Sequence, residues 1–225
     1  LFEGDDKGCS LTYSEVIGEQ SNIKTYEIAE ITGGFEIKIA IGDLRRMIRA
    51  APDLTTIEES YWNTESSDRV EAEREGNKIV FHGRLDGQTI HSAKEIKDRP
   101  WFGTVLLLKE FVLSGEKEIL FYVTKPEEEK AVLIKAIREG TENITVNSNQ
   151  VEAVKVKFTV PDIRGLFWKS YYWYRAKDGI LVKTEETRGP PGTPKAKVEL
   201  LEEARCEDCS CLATYENSET SLAAK

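Results

Sequence analysis

The sequence predicts a mainly β protein of the α+β class, in which a curved antiparallel sheet encloses one apolar helix. Three observations support this. Apolar and polar residues alternate with a period of two along most of the chain, as in half-buried strands. Turn pairs such as Asp86-Gly87 separate these segments. Residues 100–114 instead carry apolar residues at helical spacing, and so apolar a helix needs cover on most sides.

The first half of the chain is predicted to be strands with one short helix. In residues 69–75, Val70 and Ala72 alternate with Glu71 and Glu73, which indicates a sheet with one face in water. A short helix is predicted at 44–51, and it ends near Pro52 because the residue before a proline disfavours helical dihedral angles. The predicted strands are 10–20, 22–31, 35–41, 54–62, 69–75, 78–84 and 88–94.

The one strongly predicted helix begins at Pro100 and ends at Ser114. Proline suits the first helical position, where its missing N–H group costs nothing. Gly115 follows as a left-handed cap. One apolar stripe at spacings of four, three and four is formed by Trp101, Val105, Leu108 and Val112.

The second half is predicted to be strands alone. The strands at 116–124 and 131–138 carry apolar residues on both faces, so we expect both to be covered on two sides. Residues 189–194 are rich in proline and glycine and form a stiff connector. The predicted strands are 116–124, 131–138, 143–148, 151–160, 168–176, 180–187 and 197–201.

The domain prediction is a single β-rich unit over residues 1–203 and a polar, cysteine-containing tail over 204–225. The four cysteines are Cys9, Cys206, Cys209 and Cys211. Two disulfides in an oxidising compartment are one interpretation, and a four-thiolate metal site is the other. The disulfides are favoured, because structural zinc sites normally use two spaced cysteine pairs.

Charge and motifs exclude several function classes. Forty acidic residues against 31 lysines and arginines give a net charge of −9, which disfavours nucleic-acid binding. The apolar run 101–113 is too short to span a membrane and contains Lys109 and Glu110. The sequence has no nucleophile elbow, zinc-protease motif or phosphate-binding glycine loop, so no catalytic residue and no cofactor are predicted. The chain starts at Leu1, and we expect it to be a product from which any export signal has been removed.

An aromatic strand at 168–174 is the most unusual local feature. Alternation places Trp168, Tyr172 and Tyr174 on one face, and Tyr171 and Trp173 on the other. One face is then part of the core. The other face is interpreted either as cross-strand pairs that stiffen the sheet, or as a stacking platform for a sugar or a wall of a lipid pocket.

The only two histidines are His82 and His91, at equal distances from the Asp86-Gly87 turn. They are therefore predicted to face each other across a hairpin. With Glu95 or Asp86 they could hold a metal ion, but the ligand set is incomplete. An ordinary solvated hairpin is favoured, and no metal site is predicted.

Three segments carry a resemblance to a known family: Asp98-Arg99-Pro100-Trp101-Phe102, the aromatic run 168–174, and the segment 178–183. Over roughly residues 10–203 the chain resembles a family of exported bacterial proteins of unknown function that is related to the outer-membrane lipoprotein carrier superfamily. The resemblance implies a half-open β-barrel with a helix across its concave face. It also implies a periplasmic or cell-surface location, with a lipid, a lipoprotein acyl chain or another apolar ligand in the concavity.

We therefore predict a non-enzymatic, exported protein that binds an apolar ligand or a cell-envelope partner. The alternatives are a carbohydrate-binding or carbohydrate-processing β-sandwich, and a structural or adhesion module of the envelope. The residues predicted to line the ligand site are Trp101, Phe102, Leu106, Phe111, Phe121, Phe158, Trp168, Tyr172 and Tyr174.

Overall fold

The computed structural model describes residues 8–166, 168–187 and 193–205. Within these ranges the chain forms fourteen antiparallel strands in a single sheet. The strands are β1 (Gly8–Ile17), β2 (Gln20–Ile31), β3 (Gly34–Ile41), β4 (Leu44–Ala50), β5 (Thr56–Asn63), β6 (Arg69–Glu75), β7 (Lys78–Leu85), β8 (Gln88–Glu95), β9 (Glu118–Lys125), β10 (Lys130–Val146), β11 (Asn149–Thr159), β12 (Lys169–Arg175), β13 (Leu181–Glu186) and β14 (Ala196–Arg205).

The sheet consists of two meanders joined side by side. Strands β1 to β8 pair in sequence, as do β9 to β14, and the pairing of β1 with β14 unites the two sets. The edge strands are β8 and β9, which the chain connects through residues 96–117. The sheet is curved and not closed, so the predicted half-open β-barrel is confirmed.

The inner face of the sheet holds the main hydrophobic cluster. Apolar residues of both meanders, such as Ile37 and Phe158, belong to this one cluster together with the helical residues between β8 and β9. Tyr13, Ile37 and Ile48 are completely buried there. Because side chains alternate along a strand, the residues between them form the outer, solvated face.

A second, smaller hydrophobic cluster lies between the first meander and β9. Val70 and Phe81 of the first meander meet Trp101 and Tyr122 there, whereas the neighbouring Phe121 belongs to the main cluster. Strand β9 therefore buries both faces, as its sequence predicted.

The predicted helix at 44–51 is wrong, because these residues form strand β4, paired with β3 and β5. Ile48 and Ala50 are buried while Arg49 between them is exposed, which is the period-two pattern of a strand. Pairing with strands on both sides decides the conformation of this segment, and Pro52 lies just beyond the end of the strand.

The predicted helix at 100–114 is shorter than expected. Thr104 is extended, with φ −140° and ψ 150°, so helical structure begins only after it. A 3₁₀ turn at Val105–Leu108 leads into α1 at Lys109–Ser114, and Gly115 ends α1 with φ +78°, the predicted left-handed cap. Pro100 lies outside the helix because its carbonyl accepts a hydrogen bond from the amide of Tyr122 on β9.

The predicted strands 131–138 and 143–148 are one continuous strand, β10. A register shift between Arg138 and Gly140 produces a bulge there, and Gly140 has φ +139°. The sequence signal that indicated a break was therefore a local irregularity within one strand.

The first and last strands bring two distant parts of the chain together. Cys9 on β1 is 3% exposed and stands opposite Arg205 on β14. Cys206, Cys209 and Cys211 lie outside the described residues, and so does most of the 189–194 connector. In the part of the chain that the structure describes, no helix is long and apolar enough to cross a membrane.

Candidate ligand-binding site

The helical residues between β8 and β9 fill the hollow of the sheet. Leu106, Leu107 and Leu108 of the 3₁₀ turn are all at most 3% exposed, and Phe111 and Val112 of α1 are buried beside them. They belong to the main cluster, in contact with residues of both meanders. The apolar pattern of this segment therefore reflects burial in the hollow, as predicted.

Four predicted lining residues form a continuous series of aromatic rings. The ring centroids of Phe102 and Phe121 are 5.5 Å apart, and those of Phe121 and Phe158 are 5.6 Å apart. Phe158 stacks on Tyr172 at 3.9 Å. Such offset and edge-on contacts stabilise the packing beyond simple area burial. The structure thus brings together residues that are up to 70 positions apart in sequence.

Two of the predicted lining residues lie elsewhere. Trp101 is completely buried in the second cluster, where its indole Nε1 donates to Thr124 Oγ1 at 3.2 Å. Trp168 precedes β12, is partly buried against the main cluster, and donates its indole N–H to the carbonyl of Thr187 at 2.8 Å. Neither belongs to the ring series.

Polar groups of the sheet hold the ends of the helical segment. The Tyr174 hydroxyl donates to the carbonyl of Val105 at 3.1 Å, and Arg138 Nη1 donates to the carbonyl of Val112 at 2.5 Å. Burial raises the pKa of Tyr174 well above its usual value, which keeps the hydroxyl protonated as a donor. Gly179, in the turn before β13, lies directly against Lys109 and Leu113 of α1.

A buried ion pair that no sequence motif indicates lies next to this segment. Glu59 on β5 accepts from Arg46 Nε at 2.7 Å and from the hydroxyl of Thr124 on β9. Arg46 Nη2 also donates to the carbonyl of Gly103 at 2.7 Å. Because the Glu59 side chain is fully buried, burial raises its pKa despite the arginine beside it. We call these residues, Arg46, Glu59, Trp101, Gly103 and Thr124, the clasp.

Polar residues occupy another part of the inner face, near the ends of β2 and β13. The ammonium group of Lys24 lies 5.2 Å from the centre of the Tyr26 ring. Glu186 accepts weak hydrogen bonds from Tyr172 and Thr184, each at 3.4 Å. The hollow therefore has an apolar part beside the helical segment and a charged part at this end.

The outer face of the aromatic strand holds Tyr171 and Trp173, as alternation predicted. Trp173 is only 6% exposed, with its indole N–H donated to Glu142 at 2.6 Å. Lys155 and Lys183, directly opposite on the neighbouring strands, bring their ammonium groups within 5.4 and 5.7 Å of the ring centre. The ring is thus already occupied by cation–π contacts.

The histidine pair is placed as predicted, with His82 directly opposite His91. The carboxylates beside it are different from those expected. Glu71, opposite His82 on β6, brings Oε2 to 3.0 Å from His82 Nε2, and Glu73 completes a group with metal-ligating potential.

Comparison with known proteins adds a fold relationship. No family model and no curated protein matches the sequence. A β-barrel-like protein of the DUF1849 domain of unknown function from Brucella abortus matches in structure, with a TM-score of 0.62 and 11% identity over 89% of this chain and 98% of that chain.

Two weaker structural matches have TM-scores below 0.5 and support no conclusion. The hypothetical lipoprotein YmcC from Escherichia coli gives 0.39 at 12% identity, covering 86% of each chain. A putative outer membrane lipoprotein-sorting protein domain from Vibrio parahaemolyticus gives 0.29 at 8% identity, covering 91% of this chain and 87% of that chain. The resemblance noted in the sequence is thus confirmed at the level of fold: the chain has the β-barrel-like architecture found in a domain family of unknown function.

Proposed function

We propose that this chain is a non-enzymatic, exported binding protein that takes an apolar ligand, such as a lipid or an acyl chain, into the hollow of its sheet. One observation supports this most strongly. The hollow is filled by a short helical segment, residues 105–114, rather than by the sheet's own strands. Because this segment belongs to a connection between the two edge strands, it can move out without breaking any strand pairing.

The chemistry of the hollow fits an amphiphilic ligand. An apolar chain would replace the contacts that Leu106, Leu107 and Phe111 make with the ring series, and apolar contacts are non-directional. The charged end of the hollow, with Lys24 and Glu186, would face the ligand's polar head. Sites of this type combine an apolar lining with a few polar groups that orient the ligand.

Titration of the full chain with an environment-sensitive fluorescent fatty acid tests this proposal. We expect a saturable rise in fluorescence, together with lipid in a solvent extract of the purified protein analysed by mass spectrometry. Trp173→Ala on the outer face is the matched control, and its fluorescence titration should equal that of the wild type. Absence of both a saturable signal and an extracted lipid would refute the proposal.

The same control variant separates this function from carbohydrate binding. A sugar platform would use the outer aromatic face, so Trp173→Ala would abolish binding on a glycan array. We expect no glycan to bind the wild type, because Lys155 and Lys183 already flank the Trp173 ring.

An exported location is part of the proposal and has its own test. Cys9 is buried opposite Arg205, which immediately precedes Cys206 in the sequence. We expect two disulfides among the four cysteines, as in proteins of oxidising compartments. A thiol assay of the denatured, unreduced chain should detect no free thiol. Four thiols released after chelation would instead indicate the metal site.

A further inference from the structure

We infer that the outer face of β6, β7 and β8 carries a binding site for a divalent transition-metal ion such as Zn²⁺. Glu71, His82 and His91 occupy directly opposed positions on these three neighbouring strands. Glu73 follows Glu71 by two residues and therefore shares its face. The result is a set of two imidazoles and two carboxylates on adjacent strands.

The distances among three of these groups suit a metal ion. Ligand atoms of Glu71, Glu73 and His82 all lie within 4.8 Å of one another. Zinc binds nitrogen and oxygen at 2.0–2.2 Å in a tetrahedron, so ligand atoms around it are about 3.4 Å apart. His82 Nε2 and Glu71 Oε2, now 3.0 Å apart, would need to separate by only a few tenths of an ångström. Residues directly opposed on antiparallel strands have Cβ atoms about 5 Å apart, which lets His91 supply a fourth ligand.

The strands that carry these ligands are firmly anchored from the other side. Val70, Ala72, Ile79 and Phe81 alternate with the ligand positions and are completely buried in the second cluster. Ligands on packed strands keep their geometry better than ligands on loops. Glu73 and His91 are exposed, so an ion from solvent can reach the site.

A neighbouring arginine would support the site. Arg69 Nη2 lies 2.8 Å from Glu71 Oε1, which leaves the other carboxylate oxygen directed at His82. A metal ion would replace the His82–Glu71 hydrogen bond while Arg69 continued to orient the carboxylate. Such outer partners typically change metal affinity 10- to 100-fold. Mixed imidazole and carboxylate ligands suit Zn²⁺, whereas Mg²⁺ prefers oxygen ligands alone.

Two nearby carboxylates provide controls, because they share the hairpin but not the site. The backbone amide of Asp86, in the turn, donates to Asp68. Glu95 lies four residues beyond His91, opposite Lys78. Replacing these two carboxylates removes as much negative charge as replacing Glu71 and Glu73, without touching the ligand set.

Proton NMR of the full chain, produced without a histidine tag, tests the inference. His82 and His91 are the only histidines, so the spectrum contains just two sets of imidazole ring signals. We expect both sets to shift and saturate at one equivalent of Zn²⁺ and to remain unchanged with Mg²⁺. Zinc binding that leaves both sets unchanged, for example at the cysteines, would overturn the inference.

Variants then test the ligand set. We expect His82→Gln, and separately the pair Glu71→Gln and Glu73→Gln, to weaken Zn²⁺ binding at least tenfold. The matched pair Asp86→Asn and Glu95→Gln should retain affinity within twofold. Equal weakening by both pairs would indicate a general charge effect, and unchanged affinity in His82→Gln would exclude the site; either result would overturn the inference.

Discussion

The connection between β8 and β9 has two parts that the sheet holds in different ways. Residues 100–103 are hydrogen-bonded to strands on both sides, and Trp101 forms an isolated β-bridge with Tyr122. The Trp101 carbonyl accepts from the amide of Thr56 on β5, and the Phe102 amide donates to the carbonyl of Tyr122 on β9. Residues 105–114 are helical and make mainly apolar contacts, with polar contacts from Tyr174 and Arg138.

Because of this difference, we expect residues 100–103 to stay fixed on the sheet, whereas a ligand can replace residues 105–114 in the hollow. Hydrogen bonds and buried ion pairs are directional, and breaking one buried partner is costly. Apolar contacts can be replaced by any apolar surface of similar shape. The directional contacts of the clasp with Trp101 and Gly103 therefore keep residues 100–103 in place while residues 105–114 leave the hollow.

The largest expected effect comes from breaking the clasp. Glu59→Ala leaves Arg46 without its buried partner, and we expect the free energy of unfolding to fall by about 3 kcal/mol. Urea unfolding monitored by tryptophan fluorescence measures this. The control is Glu58→Gln, which removes a partly exposed ion pair to Arg49 and should change stability by about 0.5 kcal/mol or less. Equal effects of the two variants would mean that the clasp is no stronger than a surface pair.

The second-largest expected loss of unfolding free energy comes from a variant that overpacks against α1. A Cβ atom at Gly179 would lie 2.7 Å from Lys109 Cγ, so we expect Gly179→Ala to displace α1. Gly87→Ala is the matched control, since φ is +75° there against +69° at Gly179 and the new Cβ would meet nothing within 4 Å. Both variants lose about 1 kcal/mol from the positive φ.

We expect Gly179→Ala to lose a further 1–2 kcal/mol, roughly, from overpacking. It should also bind the fluorescent fatty acid more tightly than Gly87→Ala, because its segment is already partly displaced. Identical stability and identical affinity in the two variants would contradict an exchangeable segment.

A smaller loss of unfolding free energy is expected when the hydrogen bond at the start of residues 105–114 is removed. Tyr174→Phe removes the hydroxyl that donates to the Val105 carbonyl and should cost about 1 kcal/mol of unfolding free energy. Because the same bond opposes displacement, ligand affinity should rise. Parallel urea unfolding and fatty acid titrations check this, and a loss of affinity would show that the hydroxyl contacts the ligand instead.

The smallest effect is a pH dependence of the clasp. Burial raises the pKa of Glu59, whereas in the unfolded chain a glutamate titrates near 4.3. Between these two pKa values the folded chain holds more protons than the unfolded chain, so stability falls as pH rises. Urea unfolding from pH 4 upwards should show the wild type losing stability relative to Glu59→Gln. A constant difference would contradict the raised pKa.

Local patterns in the sequence predicted most of the sheet, because period-two alternation reports directly on a half-buried strand. Val70 and Ala72 are buried between exposed or half-buried glutamates as predicted. Strand β4 was missed because its first residues, rich in arginine, show the alternation weakly. Its partners β3 and β5 decide its conformation, and that information is not local.

Contacts between distant residues explain the gaps in the predicted site. Glu59 meets Arg46 of the neighbouring strand β4, and it meets Thr124 across 65 positions of sequence. One carboxylate cannot be selected from forty acidic residues by pattern alone. The pairing of Glu71 with His82, in contrast, could have been predicted from the sequence. Both residues lie five positions from the Gly76-Asn77 turn, so the counting that paired His82 with His91 also pairs Glu71 with His82.

Hydrogen–deuterium exchange of the full chain, free and saturated with the fluorescent fatty acid, tests most directly whether the helical segment is exchangeable. We expect backbone amides of residues 105–114 to exchange faster when the ligand is bound, while the hydrogen-bonded amides of Phe102 and Gly103 remain protected. Ligand binding that leaves residues 105–114 unchanged or more protected would contradict a hollow that opens by releasing this segment.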